Sequence, residues 1–164
     1  MKEEAVIDLI ALLGARLTAT GRRFATAESC TGGLIAAWCT DIPGSSVWFE
    51  GGVVAYANDV KRDLLGVREG TLAAHGAVSE EVVREMVAGI CRITGVQAAV
   101  AVSGIAGPDG GTADKPVGTV WIASSLDGVI EAHRFHFAGD RRTIREDTAE
   151  AALRWTMERM EDGG

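Results

Sequence analysis

Side chains able to do carbonyl chemistry fall where predicted strands give way to loops. Ser29 follows a first strand, Tyr56 and Lys61 follow a second, and Ser103 closes a third. A serine hydroxyl attacks a carbonyl carbon once a base takes its proton. A lysine can be that base when burial or positive neighbours lower its pKa. Ser29 leads into Cys30-Thr31-Gly32-Gly33 and then an apolar helical stretch. Amides that open a helix are unpaired, so Thr31, Gly32 and Gly33 could hold an anion or a developing oxyanion. The same turn is also what an ordinary helix cap needs, with Ser29 or Thr31 accepting the first N–H bonds. Spacing alone leaves both roles open. The loop at 103–111 offers a second main-chain cradle through Ser103, Gly104, Ala106 and Gly107, although Gly107-Pro108-Asp109-Gly110 is also a routine turn sequence.

Other reactive side chains are less well placed. Ser46 is a second candidate nucleophile or proton relay, or else a plain loop serine. Tyr56, the one tyrosine, could orient Lys61, stack on a flat ring or simply pack. His133 and His136 fall on opposite faces of a predicted strand and His75 precedes a glycine in a predicted loop, so all three read as surface residues. Lys61 is a better candidate base than these, although from its residue type alone it reads equally as a solvated surface lysine. Cys30 has no evident histidine partner and reads as a small buried residue. Arg141, Arg142 and Arg145 open the last predicted helix, where a cation opposes the helix dipole and needs an anionic partner or open solvent. Arg142 and Arg145 are the candidates for binding a phosphate. No cysteine–histidine spacing suits zinc and the aspartates are not grouped for magnesium, so no metal or other cofactor is expected. Neither a Walker A loop nor a dinucleotide fingerprint is present.

Alternating elements must position these groups. Apolar residues recur at helical spacing over 3–19, stopped by Gly21. A short strand at 24–27, a helix at 34–39 and a loop at 43–46 follow. A second strand is predicted at 53–56, with Asn58 or Asp59 capping a short helix through Leu65. Ser79 caps a helix that runs to near Gly95, with Glu80 and Glu81 in its first turn. Residues 98–102 are nearly all apolar, as in a strand buried on both faces. Strands at 117–125 and 129–137 flank Asp127-Gly128, a hairpin signal, and a helix from 140 to about 160 ends the series. The pattern predicts a three-layer α/β/α domain with a mixed, mainly parallel sheet. Its ligand side lies at the carboxyl ends of the parallel strands.

Composition narrows the classes of function. A chain of 164 residues fits one domain over 1–164. A net charge of -7 argues against wrapping nucleic acid. Three cysteines, none in a C-x-x-C unit, suit a reducing cytoplasm, and no apolar run is long enough to span a membrane. The acidic amphipathic start does not resemble a signal peptide. Twenty-one glycines, about twice the usual share, cluster near the candidate loops. Trp48-Phe49 falls in a predicted loop and is the pair expected at an interface, which leaves a homo-oligomer open.

Several segments together carry a family likeness. A-E-S-C-T-G-G at 27–33, G-S-S-x-W-F-x-G-G at 44–52, Y-A-N-D-V-K at 56–61, H-G-A-V-S at 75–79 and S-G-I-A-G-P-D-G-G at 103–111, followed by K-P-V-G-T-V at 115–120, resemble the CinA C-terminal domain family. The likeness spans about residues 5–155 and is weak beyond 140. It implies a metal-free serine amidohydrolase of Ser-Lys type. The implied reaction turns nicotinamide mononucleotide into nicotinic acid mononucleotide and ammonia within the pyridine nucleotide cycle. Ser29 then matches the family's loop serine and Lys61 its base, with a small nucleotide as the partner. Two other readings share these residues: a non-catalytic nucleotide-binding or interaction domain, and hydrolysis of some other small amide or ester.

Overall fold

The computed structural model describes residues 2–162. Its elements in chain order are α1 (Lys2–Ala19), β1 (Phe24–Glu28), α2 (Leu34–Thr40), β2 (Phe49–Val54), α3 (Asn58–Asp63), α4 (Glu69–His75), α5 (Glu80–Thr94), β3 (Ala98–Gly104), β4 (Thr119–Leu126), β5 (Val129–His136) and α6 (Arg141–Asp162). The strands form one mixed sheet in the order β2-β1-β3-β4-β5. β1 pairs in parallel with β2 and β3, β4 pairs antiparallel with β3 and β5, and β4 alone runs against the other four. Helices cover both faces, giving the expected three-layer α/β/α arrangement.

Side-chain alternation along β1 divides the core. Phe24 faces a layer made by α1, α2 and α6, with Leu13, Ile35 and Leu153 among its buried residues. Ala25 and Ala27 face α5, where Val83, Met86 and Ile90 are fully buried. The α5 side of the central strands is built mainly from alanine, adding Ala99, Ala101 and Ala123. Such small side chains let α5 lie close to the sheet. Gly89 extends the close packing outward: a Cβ there would collide with the main-chain carbonyl of Leu65. Among the described residues no helix is long and apolar enough to cross a membrane.

Local signals placed most boundaries. Ser79 caps α5 by accepting from the Val82 amide at 3.3 Å, and Gly95 ends it at φ 71°. Asp140 caps α6 by accepting from the Thr143 amide at 2.9 Å. Asp127 and Gly128 turn the β4–β5 hairpin with φ of 50° and 84°.

The structure differs from the sequence reading in four places. β2 occupies Phe49–Val54, earlier in the chain than 53–56. Its Gly51-Gly52 pair has poor strand propensity, yet Gly52 is required where it stands, because a Cβ would collide with the Thr26 side chain of β1. Trp48 is packed inside the chain and is not presented on its surface. It is 4% exposed, with its indole against Gly14 of α1, while Phe49 opens β2 opposite Phe24. α3 begins at Asn58 behind Ala57, with no side-chain cap, and ends at Asp63. α4 was unforeseen; it is short and buries only Thr71, so it has no apolar stripe to betray it. His75 therefore ends a helix and does not sit in a loop.

Candidate active site

Parallel pairing sets Glu28 level with Val54 of β2 and Val102 of β3, so the three strands deliver their carboxyl ends to one place. A cavity of about 280 Å³ opens there, with Ser29, Lys61 and Ser103 in its wall. Ser29 is the first residue beyond β1, and its amide donates to the Val102 carbonyl at 3.0 Å. Lys61 comes from α3, is 1% exposed and reaches inward beneath the cavity. Its Nζ donates to Ser29 Oγ at 3.1 Å and to the Tyr56 main-chain carbonyl at 3.0 Å.

Lys61 has no carboxylate partner among the described residues. Burial pushes its ammonium down from the ordinary lysine range, against a smaller opposing pull from Cys30. A buried, unpaired amine touching a serine hydroxyl is the arrangement that proton abstraction from that hydroxyl requires. Burial acts on Cys30 in the opposite sense, pushing its thiol up to about 11, so it stays protonated at neutral pH and is a poor nucleophile.

The turn that carries Ser29 is held from two sides. From within, the Glu28 carboxylate, 1% exposed, accepts from the Thr31 hydroxyl at 2.6 Å and from the amides of Ile35 and Ala36 at 2.9 and 3.0 Å. It satisfies the first amides of α2, a task for which no hydroxyl cap is present. From without, Arg145 of α6 donates to the carbonyls of Cys30 and Thr31 at 3.0 and 2.8 Å. The sequence reading missed Glu28. Its one available signal was an acid at the end of a buried strand directly ahead of a helix.

Several predicted contacts are rearranged. Thr31, Gly32 and Gly33 do not line the cavity. The Thr31 hydroxyl is spent on Glu28, the Gly32 amide on the Ser29 carbonyl at 3.0 Å, and Gly33 caps α2 at φ 100° against Val54. These residues shape the turn. Ser103, Gly104, Ala106 and Gly107 do line the cavity. Gly104 lies so close to Val120 that no Cβ fits between them. Ser46 is elsewhere. It sits in a one-turn helix ahead of β2, at the amino end of the parallel strands, where its carbonyl accepts from Arg23. It is not in the cavity wall, and the hydroxyl that Lys61 meets is that of Ser29.

The arginine assignments also change. Arg142 is turned to solvent and pairs with Glu146 at 2.9 Å, while Arg145 serves the turn. The arginine in the cavity wall is Arg141, which donates to the Gly107 carbonyl at 2.8 Å and to the Tyr56 hydroxyl at 3.0 Å. Tyr56 is exposed and adjoins both Lys61, through its carbonyl, and Arg141, through its phenol. None of the three histidines lines the cavity; His133 packs edge-on against Trp155. Another hollow of about 380 Å³ lies among α1, α2 and α6, lined by residues such as Val6, Ile10 and Trp38, and contains no serine, cysteine or histidine.

Fold and site together define a class: a three-layer α/β domain with a buried hydroxyl–amine pair at the carboxyl ends of its parallel strands. Comparison with known proteins narrows it. The chain belongs to the CinA family, matching the model of the CinA C-terminal domain over residues 7–160. It is 50% identical to the nicotinamide-nucleotide amidohydrolase PncC of Enterobacter agglomerans over 158 residues, 96% of each chain. It is 49% identical to the protein of that name from Escherichia coli K12 over 154 residues, 93% of each. The crystal structure of competence damage-inducible protein A from Klebsiella pneumoniae superposes with a TM-score of 0.92 at 42% identity, covering 95% of this chain and 97% of that one.

Proposed function

We propose that this chain hydrolyses the carboxamide of nicotinamide mononucleotide, releasing nicotinic acid mononucleotide and ammonia, with Ser29 as nucleophile and Lys61 as base. The observation that carries the reading is the 3.1 Å contact between Lys61 Nζ and Ser29 Oγ in the wall of a cavity. The substrate is supported by the activity for which the two half-identical relatives are named.

In the proposed mechanism the neutral Lys61 amine takes the Ser29 proton as Oγ attacks the carboxamide carbon. Main-chain amides of the Cys30 turn and the 103–107 loop receive the developing oxyanion. Collapse breaks the C–N bond, and the proton on Lys61 goes to the departing nitrogen, which leaves as ammonia. The resulting ester on Ser29 is attacked by water. Lys61 takes a proton from that water and returns it to Ser29 Oγ when the carboxylic acid product departs. Tyr56 holds the amine through its carbonyl. Glu28 and Arg145 hold the turn and touch nothing that reacts.

An ammonia assay on nicotinamide mononucleotide with chelator present tests the reading. Wild type and Ser46→Ala are expected to turn over alike, and Ser29→Ala to fall by at least about 10³-fold. Full activity in a folded Ser29→Ala protein would move the nucleophile elsewhere.

A further inference from the structure

We infer that Arg141 receives the anionic end of the substrate and thereby selects a phosphorylated ligand over its unphosphorylated counterpart, an assignment that rests on the amidase reading above. Among the described residues lining the cavity, Lys61 and Arg141 are the only cations and Asp109 the only carboxylate. Lys61 is buried and occupied with Ser29 and Tyr56. Arg141 is exposed and has no carboxylate partner among the described residues, in contrast to Arg142, which is paired with Glu146. It stands in the first turn of α6, where the helix dipole disfavours a cation, so a bound anion would relieve that unfavourable placement.

Donors remain for such an anion. A guanidinium has five N–H groups, and Arg141 directs Nη1 to Gly107 and Nη2 to Tyr56. The Tyr56 phenol accepts from Arg141, which leaves its own O–H free to donate. Guanidinium and phenol together suit the oxygens of a phosphate monoester. Tyr56 also sets the spacing. Its carbonyl marks the Lys61 end of the cavity and its hydroxyl the Arg141 end. The interval is one tyrosine residue long, comparable to a pyridine ring joined to a pentose. A carboxamide at Ser29 would thus bring a 5′-phosphate toward Arg141.

The test compares kcat/KM for nicotinamide mononucleotide and nicotinamide riboside in wild type, Arg141→Gln and Arg141→Lys. Arg141→Gln is expected to lower the nucleotide-to-nucleoside ratio by about 10–100-fold, mainly through KM for the nucleotide. Arg141→Lys, which keeps the charge and loses the fork, should fall between. An unchanged ratio would overturn the assignment, whether activity on both substrates fell together or neither fell. Should wild type hydrolyse neither compound, the amidase reading fails on its own account. Titration of nicotinic acid mononucleotide into Ser29→Ala, with and without Arg141→Gln, then still decides: at least tenfold weaker binding supports the assignment, and equal affinity sinks it.

Discussion

Lys61 places its Nζ against the hydroxyl of Ser29 with both residues almost wholly removed from solvent. Because burial lowers the lysine, a fraction of the amine is neutral at a pH where a surface lysine would be fully charged. kcat/KM is therefore expected to rise with pH along a limb whose midpoint lies below the ordinary lysine value of about 10.4. The linked effect on folding has the same sign. Between the lowered folded-state pKa and the ordinary value, the unfolded chain binds more protons than the native one, so stability rises with pH across that window. Lys61→Met should cut kcat by about 10²–10⁴-fold while the thermal midpoint at neutral pH stays level or rises, since a charge that burial disfavours is gone. A pH–rate profile and thermal melts check both halves. A folded Lys61→Met protein with near-normal kcat would remove the base from the mechanism.

Glu28 makes a separable prediction because it stands behind the nucleophile. Glu28→Ala strips the Thr31 hydroxyl, the buried Ile35 amide and the part-buried Ala36 amide of their acceptor, which should cost about 1–3 kcal/mol in denaturant unfolding. The released turn should lower kcat with little change in KM. Glu28→Gln, which keeps one oxygen, should recover part of both losses. Unaltered kcat in Glu28→Ala would show that the turn needs no internal brace.

Gly89 tests the packing of the outer helices. Its Cα faces the Leu65 carbonyl so closely that Gly89→Ala must push the segment after α3 away from α5. Roughly 1–3 kcal/mol of destabilisation is expected. Since α3 carries Lys61, activity should fall further than the loss of folded protein explains, which paired unfolding and kinetic measurements would resolve.

Much of this site was legible in the sequence because strand ends in an α/β chain have only one place to converge. Ser29, Lys61 and Ser103 could be named from their position after apolar runs, without knowing the order of the strands. Ser46 was misplaced because nearness in the chain to β2 says nothing about which end of that strand a residue adjoins. Among the arginines, helical spacing could not decide. Arg145 stands four residues from Arg141 and three from Arg142 and so shares a face with either, and only the packing of α6 against the loops separates them. Glu28 was hidden by its type. An acid at a strand end looks like the start of a solvated loop, and only the folded chain shows that helix amides donate to it. The glycines of β2 misled for a related reason, since their low propensity is outweighed by a neighbour that leaves no room for a side chain.

Arg141 and Arg145, one helical turn apart, bind main chain or side chain from the segments following β1, β2 and β3. All three segments precede α6 in the chain, and no disulfide ties them to one another. A growing polypeptide that has emerged as far as β5 would thus have its serine, its lysine and the brace from Glu28, yet lack the ties that α6 makes across the three loops. Competence would arrive with the closing helix, so the order of synthesis itself would keep unfinished chains inert.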